Sequence, residues 1–246
     1  MKGKMKGVTL FADWDPKPGY KLGFKDIEGV QTYSSSKVWR NPRIEIIEHD
    51  IPKPGEGEVL VEVKACGICG SDVHMAQPQE DGYTFYPGLS GFPSIIGHEM
   101  SGIVVEVGPN TYDKLTGEPV KVGEYVCTEE MLWCGKCKPC VEGQPNHCER
   151  LNEIGFNING GFAKYIKLPA KSIWSIEPLK QQYGEEEIFL AGSLVEPTSV
   201  AYNAVITVAG GVRPGDNVVI CGGGPVGLAA CAILKRNGAA NVILSE

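Results

Sequence analysis

Up to about residue 195 the chain alternates over short runs. Glu58–Lys64, Ile103–Val107, Tyr125–Thr128 and Phe162–Leu168 mix apolar, largely β-branched or aromatic, residues with polar ones, and Gly, Pro and Asn punctuate them. This pattern predicts strands joined by turns, as in an all-β domain. Asp13–Ser36 is polar and carries Gly, Tyr and Ser, so it reads as an inserted loop and leaves the first strands unplaced. Gln77–Phe92 is a second irregular stretch, whose aromatics at 83, 85, 86 and 92 read as loop packing ahead of a substrate wall. After Glu196 the texture changes. Thr198–Ala209 is apolar without alternation and predicts a helix ended by Gly210-Gly211. Asn217–Cys221 predicts a buried strand, Leu228–Arg236 a helix closed by Gly238, and Val242–Glu246 a second strand. The chain reads as a multi-domain α/β protein, with a β domain over residues 1–197 and the start of a strand–helix–strand domain over 198–246.

Composition narrows the class. The 246 residues are 42% hydrophobic and 22% charged, which suits a globular protein with ample core. A net charge of −7 argues against non-specific binding to nucleic acid or anionic membrane. No apolar run reaches the roughly 18 residues of a membrane span. Val8–Ala12 is too short for the apolar core of a signal peptide, so a cytoplasmic location is expected.

The nine cysteines do not read as a disulfide framework in such a chain. Cys134, Cys137, Cys140 and Cys148 are spaced as C-x2-C-x2-C-x7-C within a lobe at about 127–150. Thiolates so spaced on tight turns converge on one ion, and four sulfurs around zinc form a closed, structural site. An iron–sulfur site or free thiols are the alternatives. Cys66 and Cys69 form a second, weaker CxxC. Cys66 follows a strand and reads as core or half of a redox pair, whereas Cys69 lies in a turn and is the better ligand.

Gly222-Gly-Gly224-Pro225-Val226-Gly227 stands between a predicted strand and a predicted helix, with Glu246 closing the next strand. In that context GxGxxG is a dinucleotide fingerprint. The helix N-terminus faces the pyrophosphate, and a carboxylate at Glu246 accepts from the ribose hydroxyls and repels a 2′-phosphate, favouring NAD. A doubly wound fold has about six strands. Two are present, so the chain reads as part of a longer protein.

Together these motifs resemble the zinc-dependent medium-chain alcohol and polyol dehydrogenases. They are Gly67-Ile-Cys69-Gly-Ser71-Asp72-Val-His74, Gly97-His98-Glu99, the four-cysteine lobe, Gly160-Gly-Phe-Ala-Lys-Tyr165, Glu196-Pro197 and Gly222–Gly227. They occur in family order over residues 44–246. The resemblance implies a GroES-like catalytic domain joined to a Rossmann NAD-binding domain, two zinc ions in the full-length chain, and NAD. Cys69 and His98 would ligate the catalytic zinc, with Glu99 a ligand or exchangeable neighbour and Glu196 at the position of a further ligand. Asp72 would hydrogen-bond His98, Ser71 would take the proton of the substrate hydroxyl, and His74 would pass it to solvent. A carboxylate at 196 resembles the sorbitol and threonine branch, and the site with the long N-terminal region looks similar to scyllo-inosose 3-dehydrogenases. The implied activity is oxidation of a secondary alcohol of a polyol, sugar or cyclitol, with an L-threonine 3-dehydrogenase-like or general alcohol dehydrogenase as the alternative. A zinc-ribbon binding module is the non-enzyme alternative, disfavoured by the charge. The implied partners are a small-molecule substrate and further copies in a dimer or tetramer, without nucleic acid or membrane.

Overall fold

The computed structural model describes residues 3–246. It divides into a first unit ending at Ser193 and a second unit, Leu194–Glu246. Among the described residues no helix is long and apolar enough to cross a membrane.

Among the described residues, the first unit contains ten strands: β1 (Lys4–Trp14), β2 (Trp39–Asp50), β3 (Glu58–Gly67), β4 (Ser94–Ile95), β5 (Glu99–Val107), β6 (Tyr125–Thr128), β7 (Met131–Leu132), β8 (Asn152–Glu153), β9 (Tyr165–Pro169) and β10 (Ile173–Ser175). Its helices are α1 (Ser35–Val38), α2 (Gly70–Ala76), α3 (Lys138–Val141) and α4 (Glu187–Ser193). The main sheet has the order β10-β6-β5-β3-β9, and β3 is antiparallel to both of its neighbours. β3 is central because both of its faces are apolar. Val59 and Val61 pack with Val104, Val126, Ile166 and Ile173, while Leu60 packs with Met5, Ile95 and Tyr165.

β1 and β2 form a long antiparallel ribbon, from Lys4↔Asp50 to Trp14↔Trp39, that the sequence pattern left unplaced. The segment between them docks on the first unit. The Thr32 and Ser90 backbones exchange N–H···O bonds, Ser35 Oγ lies 2.9 Å from Thr84 Oγ1, and the Tyr33 hydroxyl donates to the Leu151 carbonyl. Asp26 ties the segment together by accepting from Gly23 N–H, Tyr33 N–H and the Thr32 hydroxyl. The strand predicted at Phe162–Leu168 is instead Tyr165–Pro169. Phe162 and Ala163 turn away to meet β1, where the Val8 N–H donates to the Phe162 carbonyl and Gly7 bridges Ala163.

In the second unit α5 (Val195–Tyr202) runs into a π-helical turn, Asn203–Val208, before Gly210-Gly211. The helix begins ahead of the predicted Thr198 because Pro197 lies in its first turn, where no intrahelical N–H is missed. β11 (Asn217–Cys221), α6 (Pro225–Arg236) and β12 (Asn241–Ser245) follow, with the two strands parallel.

Candidate metal centres and nucleotide loop

The four-cysteine lobe is a convergent set of sulfurs. α3 opens directly after Cys137 and a 3-10 turn, Pro145–His147, returns Cys148. All four Sγ atoms lie within 4.8 Å of one another, and Cys148 Sγ is 3.8 Å from Cys137 Sγ. A tetrahedron with zinc–sulfur bonds of ~2.3 Å has sulfur–sulfur edges of about 3.8 Å, so the spacing fits the ion. The backbone prepares the charge. Cys148 Sγ accepts the N–H groups of Cys134 and Arg150, each at 3.3 Å. The N–H groups of Lys136 and Cys137 hold the Cys134 thiol down at about 6. Cys140 is pushed up to about 12 by burial and by its neighbouring sulfurs, which compete for one negative charge until a cation is present.

A second cluster stands where β3 ends and β5 begins. These strands are paired there, Gly67 against Glu99, so the turn carrying Cys69 meets the turn carrying His98. The ligand atoms of Cys69, His98 and Glu99 lie within 4.8 Å of one another. One thiol, one imidazole and one carboxylate match the donors of a catalytic zinc site that leaves a coordination position open. Burial pushes the Cys69 thiol up, so its thiolate needs a cation beside it. Burial also holds His98 down at about 4, which keeps the imidazole neutral and its lone pair available.

Asp72 joins the two turns. It is buried and accepts the Cys69 N–H at 2.9 Å and the Gly97 N–H at 3.1 Å. The expected hydrogen bond to His98 is not made. His98 Nδ1 stands 3.8 Å from Asp72 Oδ1 and, among the described residues, is buried without a hydrogen-bond partner, because the same oxygen is directed to the Gly97 amide. Among the described residues Ser71 Oγ is likewise buried, with the Cys69 thiol beside it. His74 is exposed at the far end of α2, its ring 4.9 Å from that of Phe85. Cys66 faces the interior beside Met100 on β5, and burial raises its thiol strongly, so it is an inert core thiol.

Gly67 sets the place of Glu99. A Cβ at position 67 would lie 2.2 Å from Glu99 Oε2 and 3.2 Å from Glu99 Cβ. Gly67→Ala therefore displaces the carboxylate while sparing Cys69 and His98. The expected result is a loss of zinc affinity at this site by roughly ten- to a hundredfold, as for other perturbed ligand supports, with the four-cysteine zinc retained. Zinc titration against a competing chelator reads it, and an unchanged affinity would remove Glu99 from the ligand set.

The aromatic neighbours of the cluster were not singled out by the sequence pattern. The Phe156 ring stands 4.9 Å from His98 and 5.3 Å from Tyr86. Glu153, on β8, is a largely buried carboxylate pushed up from 4.5 to about 7 by burial. Folded Glu153 keeps its proton to a higher pH than it does in the unfolded chain. The associated stability is full below about 4.5 and is lost as pH rises to about 7, a difference of about 3 kcal/mol. Glu153→Gln should therefore raise the melting temperature at pH 8 and leave it unchanged at pH 4. Equal shifts at both values would contradict this origin.

In the second unit the glycine loop has the geometry of a phosphate-binding turn. Gly222 adopts φ +106°, and a Cβ at Gly227 would lie 2.0 Å from the Gly222 carbonyl oxygen, so α6 approaches the strand only through glycine. Gly224 caps α6 and Pro225 opens it, with Val226 and Gly227 in its first turn. The Glu246 carboxylate accepts the Gly223 N–H. Glu196 stands in the first turn of α5, also within this unit.

The sequence profile of the alcohol dehydrogenase GroES-like domain matches residues 55–178. The chain belongs to this family. A curated relative, scyllo-inosose 3-dehydrogenase of Thermotoga maritima, is 61% identical over 245 residues, covering 98% of this chain and 62% of its own length. A solved Thermotoga maritima structure, provisionally assigned as an alcohol dehydrogenase, has a TM-score of 0.94 at 60% identity over 98% of this chain and 62% of its own. A Sinorhizobium meliloti structure, provisionally assigned as a zinc-binding dehydrogenase and solved with NADP, has a TM-score of 0.71 at 30% identity over 99% of this chain and 56% of its own. The chain thus spans about three-fifths of the length of these relatives.

Proposed function

We propose that the protein is a zinc- and NAD-dependent dehydrogenase that oxidises a secondary alcohol of a polyol, sugar or cyclitol, with residues 1–197 as its catalytic domain and 198–246 opening its nucleotide-binding domain. The observation that carries this reading is the Cys69–His98–Glu99 cluster at the joined ends of β3 and β5. The relative named for scyllo-inosose directs the substrate class toward cyclitols.

Zinc held there supplies a Lewis acid that brings ionisation of an alcohol toward neutral pH. The remaining work falls to the chain. Asp72 fixes both ligand turns through their backbone amides. Ser71 Oγ, buried beside the Cys69 thiol, takes the proton of the substrate hydroxyl, and exposed His74 passes it to solvent. Bound NAD would supply the hydride acceptor, so that loss of hydride and proton would leave the alcohol as a carbonyl. The loop Gly222–Gly227 would hold the pyrophosphate of that cofactor, and Glu246 would accept from its ribose hydroxyls. Glu196, in the second unit, is a further zinc ligand only by the resemblance. A second, structural zinc in the four-cysteine lobe and a dimeric or tetrameric whole protein belong to the same reading.

The test is turnover of a polyol series by the protein at full natural length, with NAD and with NADP. Chelator-sensitive oxidation of a cyclic polyol with NAD supports the reading, and no oxidation of any secondary alcohol overturns it. Glu246→Ala should narrow the preference for NAD over NADP by about tenfold, because it removes the carboxylate that repels a 2′-phosphate. An unaltered preference would place nucleotide selection elsewhere.

A further inference from the structure

A ligating imidazole is ordinarily oriented by a hydrogen bond from its second ring nitrogen. Among the described residues His98 Nδ1 makes none, and Asp72 Oδ1, 3.8 Å away, accepts from Gly97 instead. What stands against the ring is Phe156, itself buried, with the two ring centroids 4.9 Å apart and the planes tilted by 37°. In a close-packed interior a side chain keeps its rotamer only as long as its neighbours keep theirs. The orientation of His98 therefore depends on what holds Phe156.

Phe156 is held by three pieces of chain that are far apart in sequence. Its carbonyl accepts the Gly91 N–H at 3.0 Å and the Ser94 hydroxyl at 3.3 Å. The next residue, Asn157, accepts the Glu153 N–H at 2.7 Å through Oδ1 and donates from Nδ2 to Asn152 Oδ1 at 2.9 Å. The same Nδ2 donates to Gln31 Oε1 at 3.0 Å. Gln31 belongs to the inserted segment between β1 and β2, whose Thr32 backbone pairs with Ser90 beside Gly91. A Cβ at position 91 would lie 2.6 Å from the Val30 carbonyl oxygen and 3.3 Å from Asn157 Cβ. Gly91 is thus the layer between the inserted segment and the Phe156 turn, and it is thin because it has no side chain.

We propose that the inserted segment is a positioning element of the zinc site. Gln31, through Asn157, and Val30, across Gly91, hold the Phe156 ring against His98 and so fix the direction of the imidazole. This rests on the reading of Cys69, His98 and Glu99 as zinc ligands in a dehydrogenase. The segment supplies no ligand of its own. It does for His98 by packing what a hydrogen bond to the ring does elsewhere.

The experiment measures zinc affinity at both sites of the full-length protein against a competing chelator, in the wild type and in Phe156→Leu, Gln31→Ala and Gln31→Glu. Affinity at the Cys69 site should fall about tenfold in Phe156→Leu, as for other ligand supports. It should fall about threefold in Gln31→Ala, which removes one hydrogen bond. Gln31→Glu keeps an oxygen acceptor for Asn157 and should restore the wild-type value. Affinity at the four-cysteine site should stay unchanged throughout, which separates positioning from a general loosening of the fold. An unchanged Cys69-site affinity in Gln31→Ala, a loss that Gln31→Glu does not restore, or equal losses at both sites overturns the proposal. Should Phe156→Leu fail to fold, the two Gln31 variants decide alone. Turnover of polyols by the zinc-loaded wild type tests the other reading separately. The expected affinity pattern in a protein that oxidises no secondary alcohol keeps the positioning role and overturns the dehydrogenase. Polyol oxidation with unchanged affinities does the reverse. A wild type that binds zinc only at the four cysteines overturns both.

Discussion

Cys69→Ser should abolish turnover, by a factor of at least ~1,000, with little change in melting temperature. The hydroxyl of serine is not a thiolate and does not hold zinc in the sulfur position. Without the ion, the substrate alcohol returns to an ionisation far above neutral pH. The fold survives because Cys69 lies just outside the main sheet, at the cap of the short helix α2. The helix keeps its hydrogen bond from the Cys69 amide to Asp72, a backbone donation that the substitution does not touch. Steady-state kinetics on the full-length protein, paired with thermal denaturation, reads both halves. Full activity in this variant would remove the metal reading of the site.

The second large effect is one of stability. Cys137→Ser, or extraction of zinc from the lobe, should lower the melting temperature by about 10 °C or more. β7 and β8 make a two-stranded pair that does not stand alone in water. Around it the buried residues are chiefly Cys137, Cys148 and Leu151, so a bound ion would take the place of a core. A loss of some 3–5 kcal/mol corresponds to a shift of this size for a chain of this length. The effect should reach the Cys69 site as well. β8 carries Glu153, and the turn after it carries Phe156, whose ring packs on His98. Differential scanning calorimetry with and without zinc checks the stability, and a shift under about 3 °C would mean the lobe is held by packing alone.

What the sequence revealed, and what it concealed, follow from the range of the interactions. The four cysteines and the glycine loop are local. Their spacing sets their geometry, and the structure brings the sulfurs together and gives the loop its turn. The strands β3, β6 and β11 are likewise local alternations or apolar runs between turn residues. The ribbon of β1 and β2 was hidden because its pairing spans a long polar segment that docks by separate hydrogen bonds, such as Ser35 to Thr84. Asp72 was legible as a partner of the site but not in its detail, since only the fold shows its oxygens turned to the amides of Cys69 and Gly97. Glu153 and Phe156 had no signal at all. Neither lies in a recognisable spacing: Phe156 is distinguished by its packing on a residue distant in sequence, His98, and Glu153 by burial.

The most direct test is the zinc count of this chain by native mass spectrometry, in the wild type and in Cys69→Ser. Both clusters lie within the first unit, so the wild type should carry two zinc ions and the variant one. A single zinc in the wild type, or an unchanged count in Cys69→Ser, would contradict a metal site built from Cys69, His98 and Glu99.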